Sequence, residues 1–64
     1  MPMQPSSVRF IVTYEDGSHD YMSVPAATLR SGDHVARVVA GEKQRAGELR
    51  RGEITGVRRD YSGG

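Results

Sequence analysis

The 64-residue sequence contains no cysteine. That excludes disulfides and thiolate metal centres. No apolar run approaches the roughly 20 residues that a membrane span needs. The first residues, Met1-Pro2-Met3-Gln4-Pro5-Ser6-Ser7, have neither a basic n-region nor an apolar core, so they do not read as a signal peptide. These absences point to the cytoplasm. None of the eight glycines falls into GxGxxG or P-loop spacing, so the glycines read as turns and caps. An excess of one charge is also lacking: nine basic residues stand against eight acidic ones, for a net charge of +1. A nucleic-acid module more often has a pI above about 9 and a clear basic stripe.

What is present fits a single small domain. A chain of this length buries only roughly 60% of the surface that its unfolded form exposes. With disulfides excluded, association with a partner or a second copy is the stabiliser left open. Residues 1–7, with Pro2, Pro5, Ser6 and Ser7, read as a flexible N-terminal arm. Residues 8–61 read as the domain, and Ser62-Gly63-Gly64 as a flexible tail.

The strongest local signal is Val8-Arg9-Phe10-Ile11-Val12-Thr13-Tyr14, rich in β-branched and aromatic residues. Asp16-Gly17 follows, then His19-Asp20-Tyr21-Met22-Ser23-Val24. An Asp-Gly pair between two such runs predicts a hairpin with a two-residue type I′ turn. That register sets Tyr14 opposite His19, Val12 opposite Tyr21 and Phe10 opposite Ser23. The expected core face is then Val8, Phe10, Val12, Tyr14 and Tyr21. Ile11, Met22 and Val24 would form a small apolar cluster on the other face, a candidate surface for a homodimer.

Pro25 cannot donate to a ladder and ends the second strand. Residues 25–29 suit one helical turn anchored by Leu29, broken by Ser31-Gly32. Asp33 is placed to cap a helix over about His34 to Ala46, with its carboxylate accepting first-turn amides. Val35, Val38, Val39, Glu42 and Ala46 follow helical spacing, and Gly47 sits where a C′ glycine ends a helix, with Leu49 folding back. A rival reading makes residues 34–40 a strand of a small SH3-like barrel. The cap, the terminal glycine and the polar run 42–45 favour the helix. Residues 53–61 suit a third strand. Ile54 and Val57 break period two, and a bulge at Gly56 would return both to one face, with Tyr61 joining Val57 on the core side. The predicted fold is α+β, in the order β-β-α-β, with a three-stranded antiparallel sheet and one helix.

Few residues suggest chemistry. His19-Asp20 and Asp33-His34 are adjacent pairs, but neighbours on a strand point to opposite faces, so His19 and Asp20 diverge. Ser31-Gly32-Asp33-His34 holds nucleophile-type residues in one local turn, where they suit capping better than catalysis. No catalytic residue, metal ligand or cofactor is expected. Eight of the nine basic residues are arginine, which suits bidentate contacts to phosphate or carboxylate. The pairs Arg50-Arg51 and Arg58-Arg59, with Tyr61 alongside, are the best candidates for contacting an acidic partner or a nucleic acid. Glu48, Glu53 and Asp60 are interleaved with them.

The terminal Gly63-Gly64, with the hairpin-then-helix opening, resembles the ubiquitin-like and sulfur-carrier proteins of the β-grasp fold. The resemblance implies a diglycine tail threaded into an activating enzyme that adenylates the carboxylate of Gly64. The β-grasp needs at least one more strand after the helix than residues 49–62 supply. The leading functional expectation is a non-enzymatic binding or adaptor module acting by protein recognition. A weak RNA- or DNA-binding module on the arginine surface comes second, and a sulfur carrier third.

Overall fold

The computed structural model describes residues 6–61. The remainder of the predicted arm and the Gly63-Gly64 tail lie outside the described residues. Strand β1 (Ser7–Tyr14) pairs antiparallel with β2 (His19–Pro25) on one side and with β3 (Ile54–Arg59) on the other, giving the order β2-β1-β3. A 3-10 helix (Ala26–Ser31) and helix α1 (His34–Arg45) lie between β2 and β3 in sequence. This is the predicted β-β-α-β arrangement. The helix at 34–45 excludes the barrel reading, and β3 is the single strand after it among the described residues. β1 begins at Ser7, one residue inside the predicted arm, and the Ser6 carbonyl accepts from the Ala26 amide.

The hairpin register differs from the sequence expectation by one residue. Thr13 faces His19, Ile11 faces Tyr21 and Phe10 faces Met22. The loop holds three residues, not two. Gly17 N–H donates to the Tyr14 carbonyl, and Tyr14 N–H donates to the Ser18 carbonyl. Gly17 has φ +89°, as the third loop position of a type I turn plus bulge requires. The Asp16 carboxylate accepts from both the amide and the hydroxyl of Ser18. Those bonds hold its carboxyl below the usual carboxylate range, the hydroxyl bond contributing most.

Side chains on a strand alternate, so a slip of one residue turns the whole of β2 over. Met22 and Val24 are buried beside Phe10, Val12 and Tyr14, and Tyr21 is exposed. The expected apolar cluster of Ile11, Met22 and Val24 therefore does not exist on one surface. Met22 and Val24 belong to the core, while Ile11 points to the opposite side.

Helix α1 covers the core side of the sheet, and of the valines that its spacing suggested Val39 packs against the core while Val38 does not. Ala36 and Ala40 are fully buried and Val38 is 60% exposed. Two alanines one helical turn apart let the helix backbone come close to the sheet. Leu29 and Leu49 complete the core, with Val8, Val39, Ile54 and Val57 packed around it. The helix ends in a Schellman motif: Gly47 (φ +81°) donates to Gln44 and Glu48 to Lys43. Asp33 makes no side-chain cap bond. Its carboxylate is taken by Arg59 on β3 instead, which corrects the capping expectation.

β3 carries an irregularity, one residue before the Gly56 position expected for it. Tyr14 pairs with Ile54 while Thr13 pairs with Gly56, so Thr55 is the extra residue and Ile54 and Val57 both reach the core side. Tyr61 does not follow them and is 80% exposed.

Candidate binding face

Because one helix covers one side, the other side of the sheet is bare among the described residues. Its side chains follow from the register. A central row runs Arg58, Ile11, Tyr21 across β3, β1 and β2. On one side of it lie Gly56, Thr13 and His19. On the other lie Arg9 and Ser23, with Asp60 beside Arg9. Strands are spaced about 4.8 Å apart, so the central row spans about 10 Å.

The aromatic end of the row is ordered. The Arg9 guanidinium lies 4.4 Å from the Tyr21 ring centroid. His19 meets the same ring edge-on at 5.3 Å. Tyr21 nevertheless stays 46% exposed. Arg9 Nε is also 3.3 Å from an Asp60 carboxylate oxygen, whose side chain is only 7% exposed. The acid thus lies low in the surface while the Arg9 side chain remains half exposed. Arg58 is exposed at the opposite end of the row.

The five residues expected as one arginine surface divide into two groups. Arg58, Arg59 and Tyr61 line one cavity of about 550 Å³ beside the end of β3, together with Ile11, Asp33, Val57 and Asp60. Arg58 and Arg59 are neighbours on a strand and face opposite ways. Arg59 turns to the helix side and forms a two-pronged pair with Asp33, at 2.8 and 2.9 Å. These bonds hold the Asp33 carboxyl below its usual range and raise the Arg59 guanidinium.

Arg50 and Arg51 are at the other end of β3, roughly 16 Å away along the strand. Arg50 is occupied by Asp20, its amide donating at 3.0 Å and its Nε lying at 3.4 Å. Arg51 lines a separate, smaller hollow with Gln44, Arg45 and Gly52.

Asp20 and His19 diverge as expected for strand neighbours. The Asp20 carboxylate works inside the fold. It accepts from the Arg50 amide and from the Tyr14 hydroxyl, at 2.9 Å, so β1, β2 and the segment after α1 meet at one group. The Arg50 amide leads in lowering the Asp20 carboxyl below its usual range. Burial, with help from the Asp20 bond and charge, pushes the Tyr14 hydroxyl up to about 12. Both groups are tied down by structural bonds. Among the described residues no set of three His, Cys, Asp or Glu could hold a metal ion.

Sequence reasoning missed Arg9, Tyr21 and His19 as a surface group because it placed Tyr21 in the core. A signal was available. On β2 Met22 and Val24 are wholly apolar, whereas His19, Tyr21 and Ser23 all carry a polar atom; Asp20, on the Met22 side, is the exception to the pattern.

Compared with known protein families, characterised proteins and solved structures, the chain matches none. Among the described residues no helix is long and apolar enough to cross a membrane.

Proposed function

We propose that the chain is a small non-enzymatic protein-recognition module of the cytoplasm. It acts by adding an extended strand of its partner to the outer edge of β2. The observation that carries this reading is the contrast between the two edge strands. β2 is seven residues long and pairs with β1 without irregularity. The Tyr14–Ser18 hydrogen bond sets the phase of the ladder. Hydrogen-bonded pairs alternate in an antiparallel ladder. The amides and carbonyls of His19, Tyr21 and Ser23 therefore point away from β1.

Proteins commonly guard an exposed edge with charge, proline or a bulge. Strand β3 has such guards, namely the Thr55 irregularity and Arg58-Arg59. On β2 the only charged side chain is Asp20, turned inward, and the only proline ends the strand. An unguarded, regular edge supports strand addition, in which backbone bonds supply affinity and alternate side chains supply selectivity. A second copy offering its own β2 would serve as well as a foreign strand.

Ser23→Pro tests this. Edge strands tolerate proline, and this one removes an outward amide. Affinity capture from cell extract should yield a protein held by the wild type and lost with Ser23→Pro, or sedimentation should show a dimer that the variant abolishes. A variant that stays folded and keeps every partner and the same mass would refute the reading.

A further inference from the structure

We infer that the open sheet face and the adjoining edge of β3 bind single-stranded nucleic acid, with Tyr21 on the face and Tyr61 at the edge as stacking rings and Arg58 and Arg9 as phosphate contacts. The inference stands apart from the strand-addition reading, because it uses outward side chains and not the β2 backbone edge.

The first support is charge. In the row Arg58, Ile11, Tyr21 and the neighbouring row with Arg9 and Ser23, the exposed charges are Arg58 and Arg9. The acid in these rows, Asp60, has a side chain only 7% exposed and lies against Arg9, and the second acid of the adjoining cavity, Asp33, is 52% exposed but held by Arg59 in a two-pronged pair. Glu15 and Glu53 sit at the hairpin end of the sheet, where Glu15 N–H donates to the Glu53 carbonyl. That end is about 13 Å along the strand from Ile11, beyond the roughly 8 Å over which physiological salt screens exposed charges. The accessible field over this part of the face is positive.

The second support is the placement of rings. Tyr21 is 46% and Tyr61 80% exposed, and Val38, on the helix, is the other large hydrophobic side chain this open to solvent among the described residues. Ile11 lies next to Tyr21 in the row and, with Tyr61 and Arg58, lines a cavity that wraps the outer edge of β3 and takes in Arg59 and Asp33 from the helix side. Exposed rings thus flank exposed arginines across one apolar residue. The Arg9 guanidinium over Tyr21 adds a planar cation to the same surface. Splayed bases stack on such rings and on guanidinium planes while arginines hold phosphates. The bases of a duplex are already stacked and cannot reach rings on a flat sheet. An acidic peptide would use the cations and leave the rings idle.

The test is fluorescence anisotropy with a labelled 12-nucleotide oligouridine, the same-length duplex and a 12-residue polyglutamate peptide. With two phosphates contacted, single-strand affinity should fall about sevenfold between 50 and 200 mM salt. Arg58→Gln should leave one contact and reduce that fall to about threefold. Tyr21→Ala should weaken binding by about tenfold, while Tyr21→Phe, which keeps the ring, should bind as the wild type does. Amide shifts should centre on Ile11, Tyr21, Arg58 and Tyr61. The inference fails if the oligouridine does not bind at 50 mM salt, or if Tyr21→Ala binds as tightly as the wild type. It also fails if the duplex or the polyglutamate binds as tightly as the single strand.

Discussion

Replacing Asp20 with asparagine should destabilise the fold strongly at neutral pH and much less in acid. The Asp20 carboxylate accepts from the Tyr14 hydroxyl at 2.9 Å and from the Arg50 amide at 3.0 Å, with Arg50 Nε at 3.4 Å. Hydrogen bonds to a charged group contribute about 1.5–3 kcal/mol each. Asparagine keeps one acceptor oxygen but loses the charge. The side chain is 26% exposed, so solvent screens part of the effect. About 2 kcal/mol is expected, which for a domain this small is a fall of about 10 °C in Tm. The folded-state pKa of Asp20 lies below its unfolded value. The carboxylate therefore stabilises the fold fully above the unfolded pKa, and that stability is lost as pH falls through the folded one. Thermal unfolding followed by circular dichroism, at pH 7 and at steps below pH 4, gives the difference between wild type and Asp20→Asn. The other carboxylates titrate in both proteins and cancel. A difference of under about 2 °C at pH 7, or one of the same size at every pH, would refute the role given to Asp20.

Further outcomes follow from the same structure. Tyr14 holds its proton to about pH 12 in the fold against about 10 unfolded. Stability of about 2–3 kcal/mol should therefore be present below pH 10 and be lost as pH rises towards 12; alkaline unfolding curves of Tyr14→Phe should lack this loss. Gly41 lies inside α1 with open space around its Cα, so Gly41→Ala should raise stability by about 0.5–1 kcal/mol in urea unfolding. Gly47 also has open space but a φ of +81°, so Gly47→Ala should lower stability by about 1 kcal/mol in the same assay. Met22→Glu should unfold the domain, because it places a charge among buried apolar groups, whereas Tyr21→Glu should leave the circular dichroism spectrum unchanged.

The parts of the fold legible in the sequence are those set by local chemistry. Gly47 marks the end of the helix because a C′ residue needs positive φ, and Leu49 follows it into the core. The missing period between Ile54 and Val57 identifies the irregularity in β3. The hairpin itself is visible in Asp16-Gly17, but its loop length is not. Asp-Gly suits both the two-residue loop and the last two positions of the three-residue loop, and only the Tyr14–Ser18 closure distinguishes them. That single residue decides which side of β2 is core, and with it the candidate surface. The helix face was misread for a different reason. Valine spacing suggested a core stripe, but close packing on the sheet favours the small Ala36 and Ala40 and leaves Val38 in solvent. Asp33 suits a cap by type and position, yet a guanidinium from β3, distant in sequence, competes for it and holds it. Long-range partners of this kind have no local signature.

The hairpin register underlies both proposals, since it aims Tyr21 outward and makes Ile11 its neighbour. It can be measured directly from nuclear Overhauser contacts between α-protons across the hairpin. Non-hydrogen-bonded antiparallel pairs bring their Cα atoms closest, to about 4.5 Å, and Ile11–Tyr21 and Thr13–His19 are such pairs. Strong α-proton contacts between Ile11 and Tyr21 and between Thr13 and His19 are predicted. Strong contacts between Val12 and Tyr21, or between Tyr14 and His19, would contradict the account. They would return Tyr21 to the core face and remove the bare row Arg58, Ile11, Tyr21.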